Sequence, residues 1–176
     1  MLRKIALLAA LGLFLIPATA AQAQFEEGDW ELTLVGQGAT DEEIEVGGFE
    51  LGGSLGYFLT DGLEVALRQT ISYDDSDNGD VGDTDLNGST AVAIDFHFDL
   101  DRFVPFVGAA LGYAYGDTTA DTWFAGPEGG VKYFVNSTTF IFASIQYQFF
   151  FDDEDEIGEA FDNGAFAYGL GIGVTW

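Results

Sequence analysis

From Ala165 to Trp176 every second residue is large and apolar. Phe166, Tyr168, Leu170, Ile172, Val174 and Trp176 alternate with Ala165, Ala167, Gly169, Gly171, Gly173 and Thr175. A period of two is the signature of a β-strand, and it assigns these residues to two opposite faces. In a soluble sandwich the large face would meet a core, and the other face would carry hydrophilic side chains toward water. A face built of Ala and Gly suits the crowded inside of a narrow barrel instead, with the large residues pointing outward.

Seven more segments of about ten residues obey the same rule. Trp30, Leu32 and Leu34 oppose Glu31, Thr33 and Gln37, and Phe49, Leu51, Leu55 and Tyr57 oppose Glu50, Ser54 and Gly56. Leu63, Val65, Leu67, Ile71 and Tyr73 oppose Glu64, Arg68, Thr70 and Ser72. Val92, Ile94, Phe96 and Phe98 oppose Ala93, Asp95 and His97. The fifth segment places Val107, Ala109, Leu111 and Tyr113 outward, although Phe106 competes with that register. Val131, Tyr133 and Val135 oppose Glu128, Gly130 and Lys132, and Ile141, Ala143, Ile145, Tyr147 and Phe149 oppose Ser144, Gln146 and Gln148. The expected fold is all-β, an eight-stranded antiparallel up-and-down transmembrane β-barrel.

The connections alternate in length. Thr60 to Gly62, Asp99 to Arg102 and Asn136 to Thr138 are short, whereas Ala39 to Glu43, Asp74 to Asn87, Gly116 to Thr122 and Asp152 to Asn163 are mostly longer and acidic. Short periplasmic turns against long extracellular loops describe a barrel of the outer membrane. On that topology Trp30, Tyr57, Phe98, Tyr133 and Trp176 fall at the periplasmic rim, and Tyr73, Tyr113, Trp123, Phe149 and Phe166 at the outer one. Amphipathic rings belong at both interfaces.

Such a location requires export. Arg3 and Lys4 precede an apolar run from Ile5 to Ile16, Pro17 breaks it, and Ala21-Gln22-Ala23 supplies small residues for cleavage before Gln24. The run is too short to span about 30 Å of hydrocarbon. Residues 1–23 are therefore read as a cleaved signal peptide and residues 24–176 as the barrel domain. Removing Arg3 and Lys4 leaves three basic side chains against 30 acidic ones. Nothing in such a chain could displace counterions from phosphates, which excludes a nucleic-acid binder. The absence of Cys excludes disulfides, thiolate catalysis and Cys-held zinc.

Three stretches carry a family resemblance: Phe103-Val-Pro-Phe-Val-Gly-Ala-Ala-Leu-Gly-Tyr113, Gly126-Pro-Glu-Gly-Gly-Val-Lys-Tyr-Phe134, and the last strand ending on Trp176. Over about residues 25 to 176 the chain resembles the small eight-stranded bacterial outer-membrane barrels of the OmpA and OmpX type. The resemblance implies a Gram-negative-type outer membrane and contact with its lipid and lipopolysaccharide. It also implies that Phe166, Tyr168, Leu170 and Trp176 form the C-terminal signal read by the outer-membrane insertion machinery. Such barrels serve as anchors, adhesins, lipid enzymes and narrow pores, so the likeness names a place more than a task.

The lumen is expected to hold Glu31, Glu50, Glu64, Arg68, Asp95, His97, Glu128 and Lys132. Arg68 and Lys132 are its only permanent cations, and they are expected to neutralise Glu50, Glu64 and Glu128, plugging the barrel. The contrasting reading is a gate in which a cation switches partners. His97, the single histidine, has no Ser beside it, and its expected partners are Asp95 or Asp99. Without a nucleophile in view, the chain reads as a non-enzyme. In the second loop Asp74, Ser76, Asn78, Gly79, Asp80 and Asp85 match positions 1, 3, 5, 6, 7 and 12 of a calcium-loop template. An ordinary Asn-Gly turn explains the same residues. No cofactor is required, and Ca²⁺ is the one the loops could take. The four loops hold 18 of the 30 acids, a density suited to divalent cations, a saline habitat or a basic partner. The leading expectation is a monomeric structural or surface-interaction protein. The rivals are a narrow cation-conducting pore and a soluble periplasmic carrier of lipocalin type.

Overall fold

The computed structural model describes residues 24–40, 46–75, 84–116, 121–151 and 164–176. Eight strands follow one another: β1 (Trp30–Thr40), β2 (Val46–Phe58), β3 (Leu63–Asp75), β4 (Thr84–His97), β5 (Phe103–Gly116), β6 (Thr122–Phe134), β7 (Thr139–Phe151) and β8 (Ala165–Thr175). Each pairs antiparallel with its neighbour in sequence, and β1 pairs with β8 to close the barrel. Closure leaves no edge, so no row of backbone N–H and C=O groups lies open to hydrocarbon. The proposed signal segment, residues 1–23, lies outside the described residues.

The expected faces are those observed. Leu34, Leu51, Leu67, Ile94, Leu111, Ile145 and Leu170 are all exposed on the outer wall, Leu170 at 72%. Phe106 is buried and Val107 exposed, which settles the register of β5 as expected. Large side chains pointing outward overturn the soluble-carrier reading, which needs them pointing in around a ligand. Rings gather in pairs at the two rims. Trp30 lies 5.0 Å from Tyr57 and Phe103 4.9 Å from Tyr133 at the turn end, and Tyr113 lies 5.2 Å from Trp123 at the outer end. The side chains of Phe49 and Tyr73 lie outside the described residues.

Side chains brace the short turns. Thr60 Oγ1 accepts a bond from the Leu63 N–H at 3.1 Å, and Asn136 Oδ1 accepts from Thr138 and Thr139 at 2.9 and 2.8 Å. Asp99 Oδ1 accepts from the Asp101 N–H at 3.0 Å, and Asp101 holds φ 67, a conformation that Asp tolerates better than most residues. At the outer end the strands outrun their expected limits. β3 continues to Asp75 and β4 begins at Thr84, so the second loop is shorter than the span Asp74 to Asn87. The reason is backbone pairing: continuing the ladder satisfies amides that a loop would leave to water. The β6–β7 ladder is interrupted at Gly126 and Pro127, between Ala125↔Phe149 and Glu128↔Gln146. Proline has no N–H to give that ladder.

Candidate functional site

The inner wall divides into layers along the barrel axis. Nearest the short turns lies an aromatic plug of Phe25, Phe58, Val104, Phe134 and Phe140, all essentially without solvent exposure. Phe25 belongs to no strand. It enters from the N-terminal segment and stacks on Phe58 with ring centroids 4.1 Å apart, while Phe134 meets its edge at 5.5 Å. Bonds from Gly28 N to Phe58 O (2.9 Å) and from Gln24 N to Asp99 Oδ2 (2.6 Å) hold the segment in place. Sequence reading missed this plug, although strand parity carried a signal for most of it. Phe58 shares the face of Glu50 and Ser54, Phe134 that of Lys132, and Phe140 that of Ser144. Nothing local marked Phe25.

Above the plug lies an ionic layer, assembled by the ladder. Glu64 of β3 pairs with Asp95 of β4, Asp95 with Gly108 of β5, and Gly108 with Glu128 of β6. Lys132 Nζ donates to Glu31 at 2.7 and 2.6 Å and reaches Glu64 at 3.3 Å. Arg68 Nη2 donates to Asp95 at 2.7 Å and its Nη1 to Glu128. The ammonium of Lys132 also lies 5.1 Å from the Phe25 ring and 5.2 Å from Phe140, so one cation joins the ionic layer to the plug. Glycines make room for the carboxylates. A Cβ on Gly108 would stand 2.0 Å from Asp95 Oδ1, and one on Gly56 would stand 1.7 Å from Glu64 Oε1. The small residues of the inner face thus serve the charges lying over them.

The expected residues come together with altered partners. Glu64, Arg68, Asp95, Glu128 and Lys132 form one cluster, but Arg68 takes Asp95 with Glu128, and Lys132 takes Glu31 with Glu64. Glu50, expected to share a cation with them, lies farther out on the cavity wall. Its place follows from the ladder, which pairs it with Gln37 and Ser72, away from the Asp95 row. The expected hydrogen bond from His97 to Asp95 or Asp99 is absent. Asp95 turns to Arg68, and Asp99 lies in the turn, accepting the amides of Gln24 and Asp101. His97 instead packs among Phe25, Phe58 and Phe106, at centroid distances of 5.1, 5.2 and 5.5 Å, with Nε2 3.5 Å from Glu64 Oε2. The side chains around it include three phenylalanine rings and the Glu64 carboxylate.

Beyond the ionic layer a cavity of about 250 Å³ runs toward the outer strand ends. Hydroxyls and amides line much of it, among them Thr33, Ser54, Thr70, Ser89, Gln146 and Gln148. Thr70 and Ser89 share a hydrogen bond of 2.5 Å, and Gln148 donates to Gln146 at 2.9 Å. At the rim, Asp74 and Asp85 are Cα partners across β3 and β4. Ser76, Asn78 and Asp80, the intervening members of the calcium template, lie outside the described residues. Among the described residues no group of three or more His, Asp or Glu side chains is placed to hold a metal. Phe166, Tyr168 and Leu170 are exposed on β8, and Trp176, also exposed, exchanges backbone bonds of 3.0 and 3.1 Å with Trp30.

Comparison with known proteins places this geometry. The family described as outer membrane protein beta-barrel domain matches residues 6–175. An outer membrane porin F of Pseudomonas fluorescens is 27% identical over an alignment of 143 residues, with 73% of this chain and 41% of that protein covered. The chain therefore spans less than half the length of that curated relative. Among solved structures, the N-terminal β-barrel domain of Pseudomonas aeruginosa OprF superposes with a TM-score of 0.58 at 22% identity, covering 83% of this chain and 97% of that one. The outer membrane protein OprG of the same organism gives 0.59 at 12% identity, covering 88% and 99%. At these identities the structural likeness establishes the fold.

Proposed function

The chain belongs to the outer membrane protein beta-barrel domain family, and on that premise we propose that it is a closed surface barrel acting through its outer face rather than by conduction. One observation carries this reading: the aromatic plug and the ionic layer together fill the turn end of the lumen. Eight strands leave an interior that side chains alone can fill, and here Phe25 is added from outside the strands. The cavity beyond is a blind recess above Lys132. Planar-bilayer recording tests the reading, with the expected outcome of little or no steady current. Large, steady, cation-selective current would establish the narrow pore instead, a reading favoured by the porin F named among the relatives.

The work of such a barrel lies at its acidic loops and its lipid-facing wall, as a structural or surface-interaction protein. Eighteen acids in and beside the four outer loops repel one another, and divalent cations relieve that repulsion. Calcium is the proposed ligand of the second loop. In support, the ladder places template positions 1 and 12, Asp74 and Asp85, opposite each other. Bridging cations would in turn tie the loops to lipopolysaccharide phosphates. Calcium titration followed by NMR of loop amides is the test. Saturable shifts confined to Asp74–Asp85 and lost in Asp74→Asn support the site. Weak uniform shifts in every loop, reproduced by salt, reduce it to screening.

A further inference from the structure

Among the described residues the lipid-facing wall carries a polar island. Gln69 of β3, Thr90 of β4 and Tyr115 of β5 point outward among exposed Leu67, Ile71, Val92 and Leu111. Thr90 pairs with both Gln69 and Tyr113, so the island lies on the level of an outer-rim aromatic residue. Gln69 Nε2 donates to Tyr115 Oη at 2.7 Å and to the Thr70 carbonyl at 3.1 Å, while the Thr90 hydroxyl donates to Gln69 Oε1 at 2.7 Å. The Tyr115 ring lies across Gly88, where a Cβ would stand 3.2 Å from Tyr115 Cε2. Tyr115 sits one alternation beyond Tyr113 toward the outer end, yet its hydroxyl turns back to Gln69 and Thr90. A tyrosine in a membrane belt ordinarily holds that hydroxyl toward water.

The donor and acceptor inventory indicates what the island can receive. Both N–H groups of the Gln69 amide are used, and so is the Thr90 proton. Lone pairs remain on Gln69 Oε1 and Thr90 Oγ1. The Tyr115 proton either spans 3.2 Å to Thr90 or faces outward. The surface is richer in acceptors than in donors, and it is surrounded by hydrocarbon, where unmatched polar groups are costly. Ester-linked phospholipids offer only acceptors at the acyl linkage. Lipids with amide-linked, hydroxylated chains offer N–H and O–H donors there, as the acylated anchor of lipopolysaccharide does.

We propose that Gln69, Thr90 and Tyr115 form a binding site for the acyl-linkage region of an amide-linked, hydroxyacyl lipid in the outer leaflet. This site rests on the outer-membrane placement and not on the closed lumen, so bilayer conductance has no bearing on it. The test uses the whole folded barrel in phosphatidylcholine vesicles, with and without a minor fraction of lipid A, and EDTA to remove cation bridges from the loops. The double variant Gln69→Leu/Thr90→Val puts apolar side chains on a lipid-facing wall and should insert normally. Lipid A should raise the unfolding temperature of the native barrel, and the variant should lose most of that gain. Retention of lipid A on the detergent-held protein, read by native mass spectrometry, should fall about tenfold, as the loss of two modest hydrogen bonds implies. Equal gains in both proteins would overturn the proposal and leave the island as a brace between strands. An equal gain from a lipid with the same headgroup but unhydroxylated, ester-linked chains would overturn it in favour of headgroup binding. Disulfide capture of Gln69→Cys between two barrels would overturn it in favour of a second copy of this chain.

Discussion

The turn end and the outer half of the lumen share one backbone rule and differ in nearly everything else. Inward positions of both halves come from the same alternation along the same strands. At the turn end they hold Phe58, Phe106, Phe134 and Phe140 with five tightly grouped charges, Glu31, Glu64, Asp95, Glu128 and Lys132, all buried. In the outer half hydroxyls and amides share the wall of a cavity with rings such as Phe124 and Phe150. The contrast separates two ways of occupying a polar interior. Rings and paired charges fill space and fix one arrangement, whereas hydroxyls tolerate exchange of partners. The turn end is therefore close-packed, and the outer end keeps open space.

The largest effect should come from Lys132→Met, which leaves Glu31 and Glu64 buried without their cation. Stranding one partner of a buried pair costs about 3–5 kcal/mol, and equilibrium unfolding in urea, followed by gel mobility of unheated samples, would read the loss. A loss near zero would place the stability outside the ionic layer. Phe58→Ala removes the ring on which Phe25 stacks and should cost about 3–5 kcal/mol by the same assay, with Phe25 released to protease or quencher. On the outer wall, Ile172→Arg near the middle of the bilayer should cost about 2–4 kcal/mol, a control for effects that do not involve the lumen. The smallest effect belongs to the outer half: Thr70→Val breaks the bond to Ser89 beside the cavity and should cost about 1 kcal/mol. Were Thr70→Val as damaging as Phe58→Ala, the distinction between the two halves would fail.

Much of the site was legible because β alternation in a closed barrel has a single inside. Once the last strand set the rule, Glu64, Asp95, Glu128 and Lys132 had to face one another. Their partners were another matter. Arg68 and Lys132 were expected to neutralise Glu50, Glu64 and Glu128, of which they meet Glu128 and Glu64, and His97 was expected to bond Asp95 or Asp99. Along one strand Asp95 and His97 lie about 7 Å apart, so each found a neighbour across the sheet instead. The inward phenylalanines were readable from strand parity.

By itself the sequence determined the number of strands, the face of nearly every residue and the membrane they suit, since these depend on local periodicity and on the solvent each face meets. Tertiary structure decided which charges meet. Lys132 and Glu31 are 101 positions apart, and only the stagger with which the ring closes brings them to 2.6 Å. It also decided that a residue outside every strand, Phe25, completes the plug. Its seat exists only once β2, β4 and β6 turn Phe58, His97 and Phe134 into one lumen, because a cavity is a property of the closed ring and of no segment within it.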